Sequence, residues 1–281
     1  MTTGYANHFD GTATAGVLDN IASNVILVSP QDISEIKSVI ASDDDIAAVI
    51  VEPTGSSFGM VPMGEEFLAL VREMTSANGI LLIFDEVQTG FGRTGSLLAC
   101  HQLDVTPDLV VMAKGLANGL PLSAVTGRAE VIDAVGLGGV GGTYCGNPLA
   151  CAASHVVLDR FEDPSVLAHA RQIGEVLRQK LEVFANRFNC IGQTRGLGPM
   201  RAIELVSDQE TKQPDKAAAQ AVVQYAYEHG LILMACGTHG NVLRFLVPLT
   251  ISEEDLNLSL IHISEPTRPL YIAYAVFCLK K

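Results

Sequence analysis

The sequence predicts an α/β fold: part of a large domain with a parallel-rich sheet, followed by a small C-terminal α/β domain. Three observations point there. Short uninterrupted apolar runs recur at residues 47–51 (AAVIV), 80–84 (ILLIF) and 109–112 (LVVM), the pattern of strands covered on both faces. A stretch of helical spacing and a loop separate them, which is the β-α-β-loop-β order of a parallel sheet. Two of the runs end on or just before an ionisable residue, Asp85 and Lys114. Open parallel sheets take ligands beyond the carboxyl ends of their strands, so both groups face one crevice.

Each element has its own signal. Residues 67–77 have helical spacing, with Phe67, Leu68, Val71 and Met74 on one face and Gly79 where a helix stop belongs. Residues 147–160 read as an Ala-rich helix with Pro148 at its start. Residues 164–188 are a second, amphipathic helix. A strand at 200–205, a polar loop at 209–215, a helix at 217–229 and short strands at 231–234 and 242–246 follow. The boundaries expected are 1–164 for the partial large domain and 165–257 for the small one.

Composition narrows the functional classes. The 281 residues are 48% hydrophobic and 17% charged, with a mean hydropathy of +0.30, which is a folded chain with a buried core. Lys and Arg number 18 against 31 Asp and Glu, a net charge of −13 that disfavours a nucleic-acid partner. No apolar run reaches the roughly 18–20 residues that span a bilayer, so no membrane association is expected. Six cysteines without a C-x-x-C pair, and no signal-peptide pattern at Met1, point to reduced thiols and a cytoplasmic location. His101, His155, His169 and His229 fall in no metal-ligand spacing, and no metal is expected.

Lys114 lies in VMAKGLANGLPLS and Asp85 in LIFDEVQTGFGRTG. Alone, the lysine reads first as a solvated strand-end residue and the aspartate as a helix N-cap. Together they are what pyridoxal 5'-phosphate requires: a desolvated lysine that forms a Schiff base, and a carboxylate that keeps the pyridine nitrogen protonated. With GGTYCGNPLACAA and GNVLRFLVPLT in the same order, the chain over about residues 8–257 resembles the class III aminotransferases, pyridoxal-phosphate enzymes of fold type I. From Asp85 onward it is most similar to the 4-aminobutyrate branch. The resemblance implies a cytoplasmic homodimer that transfers an amino group from an ω-amino acid to a 2-oxo acid such as 2-oxoglutarate through a lysine aldimine. It makes Lys114 the aldimine lysine and proton carrier, and Asp85 the partner of the ring nitrogen. Gln88 would bond the ring hydroxyl while Val87 packs on a ring face. Thr143 would bind the phosphate of the neighbouring subunit's cofactor, and Arg244 the substrate carboxylate. Glu52, in VEPTG, reads as structural, Cys145 as a small-residue substitute, and the glycines at 136–142 as a loop able to approach phosphate closely.

Three departures accompany the resemblance. The upstream phosphate cup and ring-stacking aromatic of the family do not occur, so the chain is expected to be a fragment with weak or no activity. Residues 8–62 resemble the glutamate-1-semialdehyde aminomutase side of the family. Ser57 stands where 4-aminobutyrate enzymes carry an acid that gates the substrate arginine. An aminomutase is therefore the alternative activity, and either an intermediate subfamily or two genes joined near residues 80–90 is the alternative origin. Residues 258–281 (LSLIHISEPTRPLYIAYAVFCLKK), back-translated, resemble a transposase sequencing adapter with an index slot at 269–271 and one mismatch at Ala273, and are expected to be non-native.

Overall fold

A computed structural model describes residues 18, 21, 23–29, 32–55, 58–228 and 231–256. Most of the 8–22 segment, Ser57, His229 and residues 258–281 lie outside the described residues. The chain forms two compact units. One comprises Val28–Thr54 and Met63–Ala168; the other holds Gly55–Pro62 and the described chain from His169 on.

The first unit contains α1 (Ile33–Ser42), β1 (Ala48–Val51), α2 (Glu65–Ala77), β2 (Leu81–Asp85), α3 (Ala99–Gln102), β3 (Leu109–Met112), β4 (Ala124–Gly127), α4 (Ala129–Ile132) and α5 (Pro148–Glu162). Strands β1, β2 and β3 lie side by side and parallel, and β4 closes antiparallel onto β3. Helix α1 starts where the Asp32 carboxylate accepts the amides of Ser34 and Glu35. Helix α5 starts at Asn147, which accepts from Leu149 and Ala150, with Pro148 in the first turn. The stop after α2 is Gly79, at φ +69°.

Two expectations need correction in this unit. The buried face of α2 is Phe67, Leu68, Val71 and Thr75, and Met74 is only half-buried. Thr75 enters the interior because its hydroxyl donates to the Val71 carbonyl at 2.8 Å, so no polar atom is stranded. Strand β1 is not covered on both faces, since Ile50 is 62% exposed and β1 is an edge of the described sheet. Strand β2 is the better covered, with Leu82 and Phe84 alternating into the core.

A buried carboxylate holds the amino-terminal edge of this sheet. Asp108 accepts the Leu82 amide at 2.7 Å and the guanidiniums of Arg72 and Arg128 at 2.9 Å each. It thus links the start of β2 to α2 and to the residue after β4.

The second unit contains most of α6 (Pro164–Arg187), then β5 (Ile191–Leu197), β6 (Met200–Leu205), α7 (Lys216–Glu228), β7 (Met234–Cys236) and β8 (Val242–Leu246). Its sheet is antiparallel throughout, in the order β5-β6-β8-β7. Ile173, Leu177, Leu181 and Phe184 form one stripe of α6, and with Ala219, Val222 and Ala226 of α7 they pack on Ile203, Leu205, Leu243 and Phe245. The strand expected at 231–234 starts later, at Met234. The Leu231 amide closes α7 onto the Ala226 carbonyl, and Leu231 and Leu233 enter the core as irregular chain.

Candidate active site

The carboxyl ends of β2 and β3 meet as expected. Asp85, the last residue of β2, pairs in register with Val111 of β3, and the Glu86 amide donates to the Val111 carbonyl at 2.9 Å. Lys114 follows two residues after β3 ends and opens a 3-10 turn (Lys114–Ala117) that packs against α5. Adjacent strands run about 4.8 Å apart, so Asp85 and the lysine turn share one sheet edge. Lys114 has φ +42°, in the left-handed region where a side chain is strained, and such backbone clusters at functional sites.

The Asp85 carboxylate is half-buried. One oxygen accepts the Val87 amide at 3.0 Å, and the other accepts no hydrogen bond among the described residues. An acceptor held on one side and open on the other suits a protonated ring nitrogen. Val87 and Gln88 follow at once, half-buried, on the turn that leaves β2. The Lys114 side chain is exposed rather than desolvated, because the described residues do not cover this edge.

Motif reading passed over three residues that shape this edge. Glu86, wholly buried, accepts the amides of Ala99 and Cys100 at 2.8 Å each and the Thr89 hydroxyl. Burial, and after it the Glu86 charge, pushes the neighbouring Cys100 thiol up to about 12, so it stays protonated near neutrality. Phe91, buried at φ +56°, donates its amide to the Leu97 carbonyl and sets its ring centroid 6.2 Å from that of Phe161 on α5. Gly115, next to Lys114, lies under Phe91; a methyl there would come within 2.9 Å of the Phe91 Cβ. The sequence carries a signal for Gly115, a glycine directly after a candidate lysine, but none that pairs it with Phe91.

Thr143 lies exposed in the loop before α5. Gly138, Gly141 and Gly146 of that loop take φ values of +78°, +152° and +66°. Arg244 lies in the second unit, at the middle of β8, opposite Ala202 of β6 and Met234 of β7. Its Nε is buried with no hydrogen-bond partner, and Nη2 meets only the Met234 sulfur at 3.8 Å. A buried guanidinium N–H without an acceptor is costly unless an anion supplies one. Glu52 is half-buried just past β1. Among the described residues no three His, Cys, Asp or Glu side chains gather as metal ligands, and no helix is long and apolar enough to cross a membrane.

Comparison with known proteins bears on this arrangement. The family model for aminotransferase class III matches residues 17–265. A 4-aminobutyrate aminotransferase of Escherichia coli is 46% identical over 225 residues, which is 80% of this chain and 53% of that protein. A 5-aminovalerate aminotransferase of Pseudomonas putida has the same identity and coverage. Among solved structures, an amine transaminase from an uncultivated Pseudomonas species, in its PLP-bound form, superposes with a TM-score of 0.75 at 33% identity, over 83% of this chain and 56% of that one. The chain spans about half the length of the curated relatives it matches.

Proposed function

The chain belongs to the class III aminotransferases, and from that premise we propose that it transfers the amino group of an ω-amino acid to a 2-oxo acid with pyridoxal 5'-phosphate, the cofactor of this family. The observation that carries the reading is the pairing of Asp85, one carboxylate oxygen open, with the strained Lys114 turn on one edge of a parallel sheet. The donor set fits the cofactor: a carboxylate for the ring nitrogen, an amide at Gln88 for the ring hydroxyl, an apolar face at Val87 and a primary amine at Lys114. When bound, the cofactor supplies an electron sink for the bonds around the amine-bearing carbon.

Each residue then has a task its own chemistry allows. Asp85 holds a proton on the ring nitrogen through the oxygen that Val87 leaves open. Gln88 fixes the ring's orientation, and Val87 excludes water from one face of it. Lys114 Nζ holds the cofactor and, once released, moves a proton to and from the substrate carbon. Arg244 offers its planar fork to the substrate carboxylate, which the unpartnered Nε supports. Thr143 reaches the cofactor phosphate of the other subunit in a homodimer. The relatives named for 4-aminobutyrate and 5-aminovalerate support a substrate with its amine and carboxylate at opposite ends of a short chain; 2-oxoglutarate as acceptor is the expectation carried over from the family resemblance.

The test supplies the chain with pyridoxal 5'-phosphate and follows 2-oxoglutarate-dependent loss of amine from both amino acids. The expected result is a near-visible absorbance band lost in Lys114→Ala, with slow turnover that Arg244→Ala weakens by raising KM. A band unchanged in Lys114→Ala, or amine loss that needs no 2-oxo acid, overturns the reading.

A further inference from the structure

We propose that Glu86 is a positioning residue: its buried carboxylate ties residues 87–98 into a closed loop and so sets the attitude of Asp85, Gln88 and the lysine turn. The proposal rests on the cofactor reading above for what that edge holds.

Both carboxylate oxygens are engaged across a gap of more than ten residues. One accepts the Cys100 amide at 2.8 Å; the other accepts the Ala99 amide at 2.8 Å and the Thr89 hydroxyl. Among the described residues no cation pairs with it. A buried carboxylate without a counter-ion is tolerated only where charge-assisted hydrogen bonds replace its water, and these three donors do that. The backbone of Glu86 is fixed as well: its amide binds Val111 on β3, and its carbonyl accepts the Gly90 amide at 3.0 Å. One residue therefore joins β3, the turn bearing Val87 and Gln88, and the start of α3.

The closed loop also reaches the lysine. Within it, the Phe91 amide bonds the Leu97 carbonyl at 2.6 Å and fixes Phe91 in its left-handed conformation over Gly115. Opening the loop at Glu86 frees Phe91, and with it the packing that holds the Lys114 turn at φ +42°. Glu86→Gln is the sharp perturbation, because an amide NH2 would face a backbone N–H and leave a donor unmatched. Thr89→Val removes one donor of the three with little change of shape.

The experiment measures hydrogen–deuterium exchange and the pyridoxal 5'-phosphate dissociation constant, by absorbance titration, on the full chain. Expected in both variants is about tenfold or greater faster exchange of the 87–98 amides, the scale of one charged hydrogen bond. Exchange of 81–84 and 109–112 stays unchanged, and cofactor affinity falls by a similar factor. Glu86→Gln combined with Asp85→Asn should bind no more weakly than the worse single variant, since Glu86 acts through Asp85. Normal exchange of 87–98 in both variants, or a loosened loop with unaltered affinity, overturns the proposal. If the wild-type chain binds no cofactor, the cofactor reading falls, and the exchange data alone then decide whether Glu86 closes the loop.

Discussion

Gly115→Ala should destabilise the chain although alanine is normally the less costly residue. The backbone at 115 is outside the left-handed region, so alanine meets no torsional objection. The obstacle is Phe91: the new methyl would sit 2.9 Å from its Cβ and 3.3 Å from Cγ and Cδ2. Carbon contacts are optimal at about 3.5–4.0 Å, so the two must separate by roughly 0.6–1 Å. Phe91 cannot retreat freely, being buried, bonded through its amide to Leu97 and packed against Phe161. Overpacking of this kind costs about 1–3 kcal/mol, against roughly 0.4–1 kcal/mol gained from a stiffer unfolded chain. The net expectation is a loss of about 0–2.6 kcal/mol, centred on about 1.3, read as a lower urea midpoint at unchanged slope. Phe91→Gly removes the obstacle, its Cβ included, at a φ of +56° that glycine adopts freely, so in that background the same substitution should cost about 1 kcal/mol less, a coupling within the range for touching side chains. A gain in stability in the single variant, or no coupling with Phe91→Gly, would refute the reasoning.

Two further outcomes follow from backbone-anchored groups. Asp108→Asn should cost about 2–4 kcal/mol in urea unfolding, because it weakens two arginine contacts and puts an amide where the Leu82 N–H needs an acceptor. Burial alone would raise the Asp108 carboxyl, but the hydrogen bonds from Leu82, Arg128 and Arg72 outweigh it and hold the group below its ordinary value. A depressed folded pKa gives stability that is full above the unfolded value, near 4, and is lost as pH falls through the folded one. Wild type should therefore lose more stability than Asp108→Asn on acidification below about pH 4; equal losses would count against the assignment. Gly174→Ala on α6 should lower the thermal midpoint by several degrees, despite alanine's helix preference of up to about 1 kcal/mol, because its methyl would lie 2.4 Å from the Gly198 carbonyl carbon. A raised midpoint would show that the two backbones can part.

How far the sequence could be read depended on whether an element is specified locally. Strands β2 and β3, the Gly79 stop and the Asn147-Pro148 start carry their own signals and fall where expected. Strand β4, AVTG, has no periodic apolar face and exists because β3 offers it a partner, so it was not anticipated. Strand β5 was hidden by its glycines. At Gly192 a methyl would meet Val206 at 2.6 Å, and at Gly196, φ +131°, it would meet the Met200 carbonyl at 2.0 Å. Those glycines exist for close approach across the sheet, and in the sequence they read as loop. Arg244 could be placed on a strand, but its unpartnered Nε depends on what surrounds β8 in three dimensions.

The acidic pair Asp85-Glu86 shows where motif reading stops. Successive residues at a strand end turn to opposite sides, so two adjacent carboxylates of nearly equal chemistry receive opposite surroundings. Asp85 stays half-buried with an oxygen open, while Glu86 turns wholly inward and meets three donors from 89, 99 and 100. A spacing argument sees the first ionisable residue after the apolar run and assigns it the ligand. It cannot see that the other organises the loop, because two of its three donors are backbone amides, which every residue but proline carries and no residue type announces. The residues proposed to meet a cofactor are thus legible in side-chain identity, whereas those that hold them in place are legible only once the chain is folded.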